Sequence, residues 1–284
     1  MEPVTRMSNG GIKRILVALD ASEANRTALQ AAATLASQLQ AELQALFVED
    51  INLLRLAELP FAREVLIGSR EGRRITPANM ERQIQQQTSR LRSFVEALAR
   101  QQQFKVDFKV LRGHISNELC LATQQMDLLI LGKNTQLLQQ SLKLGKVAQD
   151  VLATVNCNVL LLQHGAMIER PVAVLFDGSE ASQRALQLAI QLAHSDHDQL
   201  KVIYPATTTE QLQALRNQVA NLTGPSGLEA GEILLASNTH EALLQAGTQH
   251  HSRVMIVEAV SDSLPAEAIR NLIRQSRVPV IVMR

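Results

Sequence analysis

The chain carries one unit twice. Residues 14–36, RILVALDASEANRTALQAAATLA, align with residues 171–193, PVAVLFDGSEASQRALQLAIQLA. In each, an apolar strand-like run ends in Asp, a Ser-Glu pair follows, and a helix-period segment carries Ala-Leu-Gln and closes on Leu-Ala. Asp20 matches Asp177, Glu23 matches Glu180, Leu29 matches Leu186 and Leu35 matches Leu192. The copies also end alike, Cys157 to Leu162 lying against Val278 to Met283, each run following a helical segment. A repeated unit restricts the fold to a module that can be built twice within 284 residues. The segment from Gln163 to Arg170 breaks the pattern and reads as a linker, which gives domains 1–165 and 166–284.

Within each copy, short apolar runs alternate with segments of helical period. The first copy predicts strands near 13–19, 42–48, 106–111, 127–131 and 158–162, with helices near 23–39, 77–102, 115–124 and 145–154. The second predicts strands near 171–176, 199–204, 229–235, 253–257 and 279–283, with helices near 180–194, 208–222, 239–250 and 265–275. Strands alternating with helices specify a parallel sheet covered on both faces. The runs Leu128–Leu131 and Val254–Val257 are apolar throughout, as central strands buried on both sides require. The fold class is therefore α/β, with two doubly wound five-stranded parallel-sheet domains.

Aromatic residues make up only 2% of the chain, so each core must be built from Ala, Leu, Val and Ile. Lys and Arg number 28 against 27 Asp and Glu, a balance that gives no overall pull towards nucleic acid or an anionic membrane. The N-terminal stretch lacks the apolar run of a signal peptide, and no later run is long enough to span a bilayer. A cytoplasmic protein is expected. Cys120 and Cys157 lie in apolar segments without metal or redox spacing, and read as buried free thiols.

In a doubly wound sheet, ligands bind beyond the carboxyl ends of the strands, near the point where the strand order reverses. Asp20 and Asp177 each follow a strand and precede a helix. Two readings stand for them: a helix cap of the Asp-x-Ser type, or a carboxylate accepting hydrogen bonds from a ribose or base. Gly132 follows a buried strand, and Gly145-Lys146 opens a helix. Glycine permits close approach of the backbone to a ligand, and a helix N-terminus presents unpaired N–H groups, so the pair suits a phosphate cradle or two ordinary turns.

Asp20 at the end of the first strand, Phe47-Val48 at the end of the second, and the stretch from Gly132 to Gly145 resemble the universal stress protein family. The resemblance runs over nearly the whole chain, twice. It implies an adenine nucleotide alpha hydrolase-like, Rossmann-like fold, with the two copies packed as a pseudo-twofold tandem dimer through their last strands. ATP-binding members carry G-x2-G-x9-G-[ST], whose amides and final hydroxyl hold the phosphates. The spacing survives as Gly132, Thr135, Gly145 and Lys146, with Thr replacing the middle glycine and Lys the final hydroxyl. The Cβ of Thr135 hinders closure of such a loop, while Lys146 either blocks it or adds a compensating positive charge. By resemblance, base and ribose contacts fall on Ala18, Asp20 and Val48, and phosphate contacts on Gly132, Gly145, Lys146 and Val147. The ligand so implied is ATP or AMP, with Mg, in the first copy.

The second copy departs further. Glu258 and Asp262 stand where a phosphate would sit, in a shorter loop with no glycine at the expected positions, so no nucleotide is expected there. Asp177-Gly178-Ser179 reads as a structural cap. The insert from Asp50 to Pro77 carries Leu53, Leu54, Leu56 and Leu59, which suggest a short amphipathic helix packed on the body. Its Arg63, Arg70, Arg73 and Arg74 suit either a lid over an anion or a soluble loop. His194, His197, His240, His250 and His251 gather in the second copy; for the segment from His194 to Asp198 a solvated turn is the favoured reading and a metal site the minor one. No catalytic set is recognisable. The functional expectation is a tandem universal stress protein acting through ligand or partner binding rather than catalysis. The alternatives are a slow ATP-hydrolysing switch in the first copy and an interaction scaffold with both sites vestigial. Expected partners are the other copy within the chain, an unidentified protein and a second chain in a homodimer.

Overall fold

Short runs rich in β-branched and leucine side chains, alternating with helices, decide the architecture. In the computed structural model, residues 11–20, 25–65, 72–132, 146–162, 166–193, 200–205, 208–260 and 264–284 are described. The first half comprises β1 (Arg14–Leu19), α1 (Asn25–Leu39), β2 (Glu42–Asp50), α2 (Ile51–Glu58), β3 (Arg63–Val65), β4 (Gly72–Arg74) and α3 (Pro77–Gln102). It continues with β5 (Asp107–Gly113), α4 (Ile115–Thr123), β6 (Leu128–Gly132), α5 (Lys146–Thr154) and β7 (Asn158–Leu162). The second half comprises β8 (Val172–Leu175), α6 (Glu180–Ala193), β9 (Leu200–Tyr204), α7 (Thr209–Thr223) and β10 (Ala230–Leu234). It ends with α8 (His240–Gln249), β11 (Val254–Glu258), α9 (Ala266–Gln275) and β12 (Val280–Met283).

Ten of these strands form one sheet, in the order β10-β9-β8-β11-β12-β7-β6-β1-β2-β5. In this sheet every pairing within a half is parallel. The halves meet at a single antiparallel pairing, β12 against β7, with Val280 opposite Leu161, Ile281 opposite Leu160 and Val282 opposite Val159. The strand order reads the same outward from this seam in both directions, which is the pseudo-twofold arrangement that the duplication implies.

Side chains alternate between two cores. Ile15, Val17, Leu160 and Ile281 pack under α1, α3, α6 and α7, while Leu16, Leu161, Val280 and Val282 pack under α4, α5, α8 and α9. Both cores run unbroken across the seam. Val159, Leu160, Leu161, Val280 and Ile281 are fully buried, and each contributes at most about 1.5–3 kcal/mol. The amino ends of the strands are tied by polar groups. The Asp127 carboxylate accepts from the N–H groups of Lys13 and Arg14, both at 2.8 Å. Asn158 donates to the Asp127 carbonyl at 3.0 Å and accepts from the Arg284 N–H at 3.0 Å. The Arg284 guanidinium donates to the Leu152 carbonyl, so the last residue of the second half caps the carboxyl end of α5 in the first.

The insert after β2 differs from expectation in two respects. A helix does form there, with Asp50 as its cap (Asn52 N–H to Oδ1, 2.9 Å). Its buried residue, however, is Ala57, whereas Leu53, Leu56 and Leu59 are exposed. Leu54 is half-buried. Second, the stretch read as an arginine-rich loop contains an antiparallel hairpin, with Arg63 opposite Arg74 and Glu64 opposite Arg73. Strands of three residues are too short to announce themselves by alternation. Arg63 is exposed, and Arg70 lies outside the described residues.

Cys120 is only partly buried and its sulfur lies 2.8 Å from the Thr154 hydroxyl, whereas Cys157 is buried. Burial pushes the Cys157 thiol up to about 11 and the Tyr204 phenol up to about 12. Both groups ionise earlier in the unfolded chain, near 9.0 and 10.0. Their contribution is therefore whole below pH 9 and is lost as pH rises towards 12. Urea midpoints measured from pH 8 upward are expected to fall above pH 9, and to fall less in Cys157→Ala relative to its own value at pH 8. A second prediction concerns the seam. Ile281→Asp places a carboxylate between β12 and β7 and is expected to remove about 3 kcal/mol or more. An unchanged urea midpoint would show that the halves do not depend on this pairing.

Candidate functional site

In the first half, the chain moves from β1 to β2 and β5 on one side, then to β6 and β7 on the other. The order therefore reverses between β1 and β6, and a crevice opens at their carboxyl ends. Four of the expected site residues converge there. Ala18 and Asp20 lie at the end of β1, Val48 near the end of the neighbouring β2, and Gly132 at the end of β6. Ala18 and Val48 share the sheet face on which α5 packs through Val151. Lys146 and Val147 are the first two residues of α5. Thr135 and Gly145 lie outside the described residues. A Cβ added at Gly132 would meet nothing within 4 Å among the described residues.

Beside the crevice lies a charged cluster that is hard to find in the sequence. Glu49 is almost buried, yet its carboxylate accepts from the Thr88 hydroxyl at 2.8 Å and from Arg112 Nε at 2.9 Å. Arg112 also reaches Glu81 on α3 at 2.7 Å. This cluster ties α3 to the ends of β2 and β5, next to Val48. The only signal in the sequence is an acid ending an apolar strand, and nothing there links it to an arginine 63 positions later.

The second half repeats the crevice between β8 and β11, because β8 leads to β9 and β10 on one side and β11 to β12 on the other. Here the strand ends differ. Asp177 Oδ1 accepts from the Ser179 N–H at 3.0 Å, and Ser179 Oγ accepts from the Ser182 N–H at 3.0 Å. These are the contacts of a helix cap, as the Asp-x-Ser pattern suggested. Glu258, at the position of Gly132, is buried, and Ser179 Oγ lies 3.0 and 3.1 Å from its two carboxylate oxygens. A hydrogen bond thus spans the crevice. Gly178 adopts φ +87°, and a Cβ there would come within 2.9 Å of Leu215 on α7. Asp262, His194 and His197 lie outside the described residues. Among the described residues, no three His, Cys, Asp or Glu side chains gather as a metal ion would require, and no helix is long and apolar enough to cross a membrane.

Taken together, these features define a tandem doubly wound α/β protein, with Gly132 at one strand end and the bonded Glu258 at its counterpart. The model of the universal stress protein family matches residues 11–163, more than half the chain, and the chain belongs to that family. Among solved structures it resembles a universal stress protein from Archaeoglobus fulgidus, at 17% identity and a TM-score of 0.68, over 95% of this chain and 97% of that one. A functionally unknown protein from Pseudomonas aeruginosa is similar at 15% identity and a TM-score of 0.60, over 96% and 92% of the respective chains. These likenesses show the shared tandem-length fold. No curated protein matches the chain.

The two crevices respond differently to one substitution. Gly132→Ala is expected to leave stability within about 0.5 kcal/mol, since the added methyl enters open space. Gly178→Ala forces a side chain into the left-handed region against Leu215 and is expected to cost about 1–3 kcal/mol. Urea unfolding of both variants checks the contrast, which equal losses would refute.

Proposed function

We propose that the protein acts in stress response as a binding protein, taking one adenine nucleotide, ATP or AMP with Mg, in the first-half crevice and none in the second. The observation that carries this reading is the difference at one strand end. Gly132 leaves the first crevice open to a ligand, whereas Glu258 fills the same position in the second with a buried carboxylate. Several residues fit the proposed ligand. Asp20 and Val48 flank the crevice at the ends of β1 and β2, suited to a ribose and a base. The N-terminus of α5 at Lys146 offers backbone N–H groups and a partial positive charge to a phosphate. Lys146 adds a full positive charge in the place of the family's hydroxyl. The bound metal would neutralise phosphate charge.

Partner binding is a second reading, favoured by the apolar side chains that α2 and the following turn expose. Phe61 is 76% and Leu56 45% accessible, more than a solitary surface residue explains when Leu53 and Leu59 lie beside them.

Calorimetric titration of the nucleotide-stripped protein with ATP and AMP, magnesium present, tests the first reading. Binding near one equivalent per chain is expected. Asp20→Ala should weaken it by about ten- to a hundred-fold, the worth of hydrogen bonds to a charged acceptor. No binding by the wild type would leave partner binding as the function.

A further inference from the structure

A carboxylate as deeply buried as that of Glu258, on a residue only 1% exposed, is stable only where donors replace the lost water. The donor set is specific. Ser179 Oγ accepts the Ser182 N–H at 3.0 Å, at the start of α6, so the hydroxyl's lone pairs serve the helix while its single proton points at Glu258. The two carboxylate oxygens lie nearly equidistant from it, at 3.0 and 3.1 Å. The Ser179 N–H is in turn fixed on Asp177 Oδ1 at 3.0 Å. A chain of hydrogen bonds thus runs from the N-terminus of α6 through one hydroxyl to a carboxyl group supplied by the opposite wall of the crevice. Glu258 belongs to β11 and Ser179 to the β8–α6 turn, so the bond joins the two strands between which a doubly wound sheet takes its ligand. Above it, the turn is roofed by α7, with Leu215 against Gly178, and Gln183 donates to the Gly178 carbonyl at 3.3 Å.

We infer that Glu258 is an internal ligand: a resident carboxylate that takes the anion position of the second crevice and thereby closes it to anions from solution. The inference deepens the reading of the two crevices as one open and one closed, but it does not depend on which ligand the first accepts. In chemical terms the vacancy left without Glu258 fits a small carboxylate.

The test uses the full chain without nucleotide, so that a failure of nucleotide binding in the first half leaves it intact. Thermal melts of the wild type, E258A and E258Q are compared in sodium acetate and in sodium chloride at equal ionic strength. E258A is expected to gain a saturable stabilisation by acetate, about 3 °C at ten times its dissociation constant, which the wild type lacks. E258A melting identically in the two salts would overturn the inference. E258Q keeps the side-chain volume and removes the charge, and it decides the matter where E258A does not fold. A melting temperature below that of the wild type is expected if the site is built for an anion. One equal to it or higher would mean that the charge is merely tolerated, and the inference would fail.

Discussion

The antiparallel pairing of β12 with β7 is the contact on which the rest of the molecule depends. Each half alone is a five-stranded sheet ending in a strand of apolar side chains, Val159 to Leu162 in one and Val280 to Met283 in the other. A sheet edge of that composition exposes both unpaired backbone groups and apolar surface. Pairing the two edges satisfies both needs at once. It also lets the cores on each face continue across the seam, from Leu160 to Ile281 beneath one helical layer and from Leu161 to Val280 beneath the other. A duplicated module whose edges match in length and polarity has this as its most economical arrangement, and no separate interface has to be built.

Antiparallel joining has a geometric consequence. Strands within a half are parallel, so their carboxyl ends lie together, and reversing the direction at the seam puts the two sets of carboxyl ends at opposite ends of the sheet. The crevice between β1 and β6 and the crevice between β8 and β11 therefore face away from each other. The second half's final residue arrives at the amino end of β7, where Arg284 binds Asn158 and the Leu152 carbonyl. Helix α5 is thus held near its carboxyl end by the other half. It begins beside the first crevice at Lys146 and finishes against the last residue of the other half.

Much of this was legible in the sequence because it is carried by pattern. The repeat from Asp20 to Leu35 and from Asp177 to Leu192 announced two equal units, and continuous apolar runs such as Leu128 to Leu131 announced strands covered on both faces. The seam was expected from the family resemblance, which implies pairing through the last strands. What escaped was carried by single long-range contacts. Glu49 and Arg112 look like ordinary surface charges until β2 and β5 are placed side by side. The leucines of α2 follow a helical period, and that period indicates one apolar face without saying whether the body covers it. Here Ala57 takes the covered position. The site was legible to the same extent. Strand-end positions such as Asp20, Val48 and Gly132 follow from topology, but Ser179 could be read as a cap and not as the partner of Glu258. That bond joins residues 79 positions apart.

The difference between the two crevices follows from what an open α/β site leaves unsatisfied. Backbone N–H groups at a helix N-terminus and hydroxyls at a strand end are donors in search of an acceptor, and a site shaped for an anion meets that need only when one is present. In the second half, Ser182 and Ser179 pass this demand to Glu258, which the chain itself supplies. That half is complete without any molecule from solution. In the first half, Gly132 at the corresponding strand end contributes no side chain. The two strand ends thus differ in one residue: the second carries a carboxylate bonded to the start of α6, and the first a residue without a side chain.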